Sequence, residues 1–396
     1  MERACVDSEI KGTALKKYRR KNMKKILSLI LCLALCVGCL AIVGCGGKTE
    51  IPDDCVAEDG TYEVAVVTDV GQLKDKGFNE GTWTGAKTYA YNNGKDYKYY
   101  QPQGGSDASD NDRIAAMKAA IDNGAEIIVA PGFLQAAAMT AVATEYPDVK
   151  FVFIDGWALG LDNVTAVSYK EQESGYMAGY AAVMEGYTKL GGTFGGGGTN
   201  PACNRFGYGY IQGAEAAAIE KNVEVEIKYS YQYGSTFSAS SELQTQIAGW
   251  YQAGTEVVFA CGGSMFDSVK SAAAEYQNAK IIGVDVDQSG ESSKVITSAV
   301  KGLAASVEKV LGQFYAGEWD TVLANQTQNL GAADDATGLP TETWSMKNFK
   351  KAQYEDLYAK IKAGEIVPQA DVADVVDSAA VLTANLTLTK VTVLYE

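Results

Sequence analysis

From Thr61 onward, short apolar runs alternate with longer stretches whose apolar residues recur every three or four positions. The short runs read as strands buried on both faces, and the longer stretches as amphipathic helices. Strands are expected at 62–68, 96–101, 126–130, 149–155 and 164–168. Helices are expected at 79–91, 110–123 and 133–145, and 171–185 closes the first series. Trp83, Ala86, Tyr89 and Ala90 give the first helix its spacing, and Gly124 stops the second. A Gly/Thr-rich stretch, 190–200, then breaks the pattern and reads as a change of domain. The alternation restarts with helices at 209–221, 238–253 and 266–276, and strands at 223–231, 256–260 and 280–286. Such βα alternation predicts an α/β fold of two successive doubly wound halves around parallel sheets.

Ahead of this body the pattern is different. Seven lysines and arginines between Lys16 and Lys25 precede an uncharged apolar run, 26–44. Cationic, then apolar, then small is the order of a secretory signal. Ile42-Val43-Gly44-Cys45 resembles the lipobox of bacterial lipoproteins, whose cysteine receives diacylglycerol. A signal peptide over 1–44, a lipid on Cys45 and a tether over 45–60 follow from that resemblance, with the body held on the extracytoplasmic face of the cell membrane. Met23 opens a compact leader of its own and is a possible true start. Two alternatives stand beside this: an uncleaved anchor helix, and a second lipobox at Cys36-Val37-Gly38-Cys39 that would leave an apolar stub in water.

Charge narrows the partners. The leader takes 9 of the 34 basic and 3 of the 49 acidic residues, leaving the remaining 352 residues at a formal −21. A body this acidic does not bind nucleic acid or anionic lipid, which need cationic patches. Its length exceeds what one core normally supports, so two domains are expected. Histidine is absent, which excludes Ser-His-Asp and Cys-His catalysis and any imidazole-ligated metal. Past Cys45 only Cys55, Cys203 and Cys261 remain, without metal-ligand spacing or a disulfide framework. No catalytic residue, metal or cofactor is expected.

Three expected strands end in an aspartate: Asp69, Asp155 and Asp285. Ligands of open parallel sheets sit beyond the carboxyl ends of the strands. Converging carboxylates accept from vicinal hydroxyls and repel phosphate, so they suit a neutral polyol or sugar; each is also a plausible helix cap. Phe78 and Phe237 lie in polar loops where a ring either packs under the chain or stacks on a flat ligand. Gly262-Gly263 allows close backbone approach or makes a tight turn. Gly195–Gly198 lacks the lysine and serine of a phosphate loop and reads as a hinge-side loop.

VAVVTDVGQLKDKGFNEGTWTGA (64–86), KFVFID (150–155), YKEQESGYMAGYAA (169–182), YGYIQGAEAA (208–217), VVFACGG (257–263) and GVDVDQS…VITSAVK (283–301) resemble the basic membrane protein family. These are lipoprotein substrate-binding components of ABC transporters, typified by purine-nucleoside receptors. The resemblance runs from Tyr62 to Leu311 and implies a periplasmic-binding-protein type I fold: two α/β lobes, three crossovers and a ligand cleft. It implies an N-terminal lobe of 61–185 completed by 287–320, and a C-terminal lobe of 186–286 completed by 321–396. The family's site falls on Asp69, Phe78, Asn79, Asp155, Phe237, Gly263, Asp285 and Lys301. The two aromatics would sandwich a base, while the aspartates and Lys301 hold ribose hydroxyls; Lys301 alone also reads as a solvated helix residue. The implied partners are a nucleoside, an ABC permease and its ATPase. Closure is expected about 190–200 and the other crossovers. Gly77, Tyr176 and Cys261 depart from the family pattern. They leave open a sugar or flavin-like ligand. A sensory lipoprotein, or a surface hydrolase using Asp69, Asp155 or Asp285, is the reading from another class.

Overall fold

The central strands form where β-branched and aromatic residues run together, because both faces of such a strand are covered. The computed structural model describes residues 51–70 and 72–396. The leader 1–44, the lipid site Cys45 and the first part of the tether lie outside the described residues.

The first sheet holds β1 (Val64–Val67), β2 (Tyr97–Tyr100), β3 (Ile127–Pro131), β4 (Lys150–Ile154), β5 (Val164–Tyr169) and β11 (Thr327–Leu330). Its order is β11-β5-β4-β3-β1-β2, parallel throughout. The second holds β6 (Lys189–Phe194), β7 (Val225–Ser230), β8 (Val257–Cys261), β9 (Lys280–Asp285), β10 (Val295–Lys301), β12 (Thr337–Gly338) and β13 (Val391–Tyr395). Its order is β12-β10-β9-β8-β6-β7-β13, parallel except where β12 returns against β10. Both sheets therefore share one doubly wound order, with the switch point beside β1 in one and β6 in the other.

Helices α1 (Phe78–Asn92), α2 (Asp110–Asp122) and α3 (Ala136–Glu145) cover the first sheet; α4 (Glu171–Glu185), α5 (Pro201–Lys221), α6 (Ser241–Gln252) and α7 (Met265–Ala274) cover the second. α8 (Leu303–Tyr315) returns to the first lobe, where Leu303, Val307, Val310 and Leu311 pack with Trp83, Ala86 and Ala90. α9 (Lys351–Lys362) and the short α10 (Ala379–Leu382) finish the second lobe, whose core takes in Tyr354, Leu357, Ile361 and Leu382. Fully burying each such apolar side chain contributes about 1.5–3 kcal/mol.

The lobe boundaries differ from those expected. Residues 287–301 belong with the second sheet, since β10 pairs with β9. The connection 286–294 carries no helix, so nothing in its pattern marks β10 as the next strand of that sheet. Nor is 190–200 a domain boundary. Its first part, 190–194, is β6, a central strand, where a Cβ on Gly191 would stand 3.0 Å from the Trp250 ring. Glycine there reflects close packing. Helix α5 also starts eight residues before the expected Gly209, at Pro201, with Asn200 as its cap. Finally, residues 51–55 dock on the first lobe: Asp53 pairs with Lys74 at 2.5 Å and Lys87 at 3.1 Å, and Cys55 bridges Tyr97.

The chain crosses between lobes at 169–171, 301–303 and 330–337, and hydrogen bonds stitch the three crossings together. Lys170 N–H donates to Leu330 O at 2.8 Å, and Gly302 N–H to Ala336 O at 2.8 Å. Glu173 accepts from Ala332 N–H at 2.6 Å and the Thr337 hydroxyl at 2.7 Å. The Ser174 hydroxyl donates to Val300 O and accepts from Gly338 N–H. These crossings lie away from 190–200.

Helices α4 and α5 meet backbone to backbone. A Cβ on Gly175, Gly179, Gly209 or Gly213 would overlap the carbonyl oxygen of Phe206, Tyr210, Gln172 or Tyr176 respectively. Two glycines at four-residue spacing on each helix let the axes approach this closely, which no larger residue permits.

Candidate functional site

The carboxyl ends of both sheets face one cavity of about 890 Å³. Asp69, Phe78, Asn79, Asp155, Phe237, Gly263, Asp285 and Lys301 all line it. The first lobe supplies Asp69 after β1, Asp155 after β4, and Phe78 and Asn79 on the first turn of α1. The second supplies Phe237, Gly263 after β8, Asp285 at the end of β9 and Lys301 at the end of β10.

Lys301 sits at the centre, its side chain 2% exposed. Its Nζ lies 2.6 Å from Asp155 Oδ2, 3.4 Å from Asp285 Oδ1 and 3.8 Å from Glu171 Oε1. The expectation of a solvated helix residue fails, because the residue closes a strand and points at three carboxylates. Burial works against its charge, but those carboxylates more than offset it and hold the ammonium well above its ordinary value. Burial pushes Asp285 up, and Lys301 pulls it part of the way back. Glu171 is also pushed up by burial, opposed by Arg205, whose Nε stands 2.6 Å away, and by Lys301. The Nζ further lies 4.7 Å from the Phe78 ring centroid, a cation–π contact across the lobes.

Asp155 and Asp285 hold equivalent places in the two sheets, and both have left-handed backbones, φ 56° and 66°. Such a conformation costs about 1–3 kcal/mol in a non-glycine residue and concentrates at ligand sites. Phe237 is a third case, φ 57°, its ring lying against Gly195, where a Cβ would overlap it. Asp69 is buried behind Gly132; at φ 98° that glycine has no Cβ to strike the carboxylate.

Asp75, just outside the expected set, fixes the start of α1. Its carboxylate accepts from the N–H groups of Gly77, Asn79 and Glu80 at 2.9, 3.0 and 3.1 Å, and from Asn79 Nδ2 at 3.2 Å. Burial pushes it up to about 7 against those three backbone donors. Asn79 is thereby oriented with Oδ1 buried and without a partner. Asp155 Oδ1 and Gln172 Oε1, also in the cavity wall, are in the same state. Each of these three atoms is an acceptor. An unmatched buried polar group is costly, so the site favours a ligand rich in donors.

Arg205, Glu171, Gln172 and Trp157 are the site residues that sequence reasoning passed over. Arg205 and Phe206 lay in the unread first turns of α5, and Asn200-Pro201, a cap followed by proline, is the signal that announces that helix. Glu171 and Gln172 open α4, where a helical pattern hides them. Trp157 is half exposed, beside Phe153 at 5.5 Å between ring centroids.

A family described as ABC transporter substrate-binding protein PnrA-like matches residues 62–370. The "ABC transporter nucleoside-binding protein BmpA" of Lactococcus lactis is 28% identical over 354 residues, 83% of this chain and 94% of that protein. An uncharacterized lipoprotein of Pyrococcus abyssi is 27% identical over 347 residues, 85% of this chain and 80% of that protein. Among solved structures, an ABC transporter solute-binding protein from Aeropyrum pernix superposes with a TM-score of 0.65 at 24% identity, covering 78% of this chain and 94% of that one. That likeness shows the fold, a periplasmic-binding-protein type I arrangement of two lobes. Among the described residues no helix is long and apolar enough to cross a membrane. A profile match over most of the two-lobed body makes this chain a member of the Bmp family, the PnrA-like substrate-binding proteins of ABC transporters.

Proposed function

We propose that the cavity takes a nucleoside, with the base between Phe78 and Phe237 and the ribose hydroxyls on Asp69, Asp155, Asp285 and Lys301. The observation that carries this reading is the set of unmatched acceptors, Asn79 Oδ1, Asp155 Oδ1 and Gln172 Oε1, on residues that line a cavity between aromatic-bearing lobes. Hydroxyls and an exocyclic amine supply the donors those atoms need. The carboxylates Asp155, Asp285, Glu171, Asp69 and Asp75 outnumber the cations Lys301 and Arg205, so a phosphorylated ligand is repelled. The nucleoside-binding relative in Lactococcus supports the same reading. With a lipid on Cys45, the loaded receptor stays beside its permease and ATPase on the extracytoplasmic face.

A thermal-shift panel of nucleosides, sugars, riboflavin and nucleotides on residues 46–396 tests it. Purine nucleosides should raise Tm most, through binding to the folded state alone. Stabilisation by a sugar or riboflavin and by no nucleoside would refute the proposal. Phe237→Ala should weaken nucleoside binding by about 1–3 kcal/mol, the range for loss of one aromatic–base stack. Calorimetry that finds unchanged affinity in that variant would remove the stacking role.

A further inference from the structure

Two thiols lie side by side in the cavity wall, and the binding reading makes no use of them. Cys203 stands in the first turn of α5, its N–H held by the Asn200 side chain at 2.8 Å. Cys261 ends β8, immediately before Gly262-Gly263. Cys203 Sγ is 3.8 Å from Cys261 O, so the first turn of α5 lies against the end of β8 at these two residues. Both are buried, yet both line the cavity. The other cysteine among the described residues, Cys55, is exposed and bridges Tyr97 of the first lobe.

We propose that in the exported protein Cys203 and Cys261 are joined by a disulfide, made as the chain folds, that ties the first turn of α5 to the end of β8. The inference rests on the extracytoplasmic placement proposed above, because disulfides persist in oxidising compartments. In the exchange, one thiolate attacks a disulfide oxidant of the glutathione or thiol–disulfide oxidoreductase class. A mixed disulfide forms and one oxidant thiolate leaves. The second cysteine thiolate then displaces the other oxidant sulfur, so two protons and one electron pair leave the protein and the oxidant ends as two thiols.

Timing follows from burial. In the folded, reduced protein burial pushes the Cys261 thiol well above its ordinary value, with the Cys203 thiol reinforcing it. Cys261 thiolate is then scarce and burial shields both sulfurs from an oxidant, whereas both thiols of the unfolded chain are exposed. The bond would close a loop of sequence separation 58, containing β7 and α6. Closing a loop of that size restricts the unfolded chain and so favours the folded one. It would also fix one wall of the site, since the next turn carries Arg205 and Phe206.

Residues 46–396 carrying Cys55→Ser, refolded from the reduced, denatured state in a glutathione redox buffer, provide the test. Intact mass should fall by two hydrogens, a peptide linking Cys203 to Cys261 should appear, and Tm should exceed that of the reduced protein by about 5 °C or more. Oxidation of protein folded in the reduced state should be at least about tenfold slower, as expected for a buried thiol. Two free thiols after refolding, or a linked form with lower Tm, would overturn the pairing. The full-length chain, alkylated at harvest from cells, separates the two premises. Alkylated Cys203 and Cys261 on chain recovered outside the cytoplasm would overturn the proposal; the same two alkylated on chain retained inside would overturn the placement, leaving the pairing to the refolding result.

Discussion

Replacing Lys301 with methionine should destabilise the protein by about 3–5 kcal/mol at pH 7.5, the usual cost of stripping the cation from a buried ion cluster. Lys301 is the ammonium that Asp155, Asp285 and Glu171 share. Methionine fills much of the same volume, so the loss is electrostatic rather than a cavity. The pH dependence distinguishes this from simple misfolding. Burial already pushes Asp285 and Glu171 up, and without Lys301 both rise further. A carboxyl raised in the folded state contributes stability that is complete below its unfolded value, about 4, and is lost as pH rises through the folded value. The gap in Tm between the variant and the wild type should therefore narrow steadily as pH falls from 7.5 to 5. A gap that stays constant over that range would show that the cluster is not held by charge. Ligand binding should fail in the same variant, since the two lobes meet at this ammonium.

What could be read beforehand divides along physical lines. Strands such as VAVV and KFVFI are legible because both of their faces are covered, and a run of apolar residues has no other use in so acidic a body. Asp69, Asp155 and Asp285 were legible because a carboxylate directly after such a run calls for a reason. Their left-handed backbones at Asp155 and Asp285 were not, since the conformation is imposed by the surrounding strands rather than by local propensity. β6 was misjudged for a related reason. Its glycines are there because Trp250 and Phe194 crowd the strand, a fact of tertiary packing that looks like a linker in one dimension. Lys301 shows the same limit: one lysine after TSAV has no character until β10 pairs with β9 and brings it against residues 16 and 146 positions away. Long-range coincidence, rather than composition, makes the site.

Among the described glycines, Gly213 is the one whose added Cβ would come nearest to backbone. Gly213 of α5 lies on the backbone of α4, and a Cβ there would overlap the carbonyl oxygen of Tyr176. Carbonyl oxygen in a helix cannot swing aside as a side chain does, so Gly213→Val must push the two axes apart. Overpacking commonly costs 1–3 kcal/mol, and with rigid backbone on the receiving side about 3 kcal/mol or more is expected here. The disturbance reaches the site, because α4 begins at Glu171 and α5 carries Arg205, whose ion pair at 2.6 Å holds the two helix starts together. Denaturant unfolding should show a lowered midpoint, with weakened ligand affinity in whatever fraction stays folded. Gly249 in α6 supplies the contrast. Beyond its chain neighbours and the backbone of its own helix, nothing lies within 4 Å of where its Cβ would stand, and its neighbours are helical. Gly249→Ala should therefore stabilise by about 0.5–1 kcal/mol, the ordinary gain from removing an interior helix glycine. If Gly213→Val proved as harmless as Gly249→Ala, the backbone contact between α4 and α5 would not exist in solution. The mounting of Arg205 opposite Glu171 would then need another explanation.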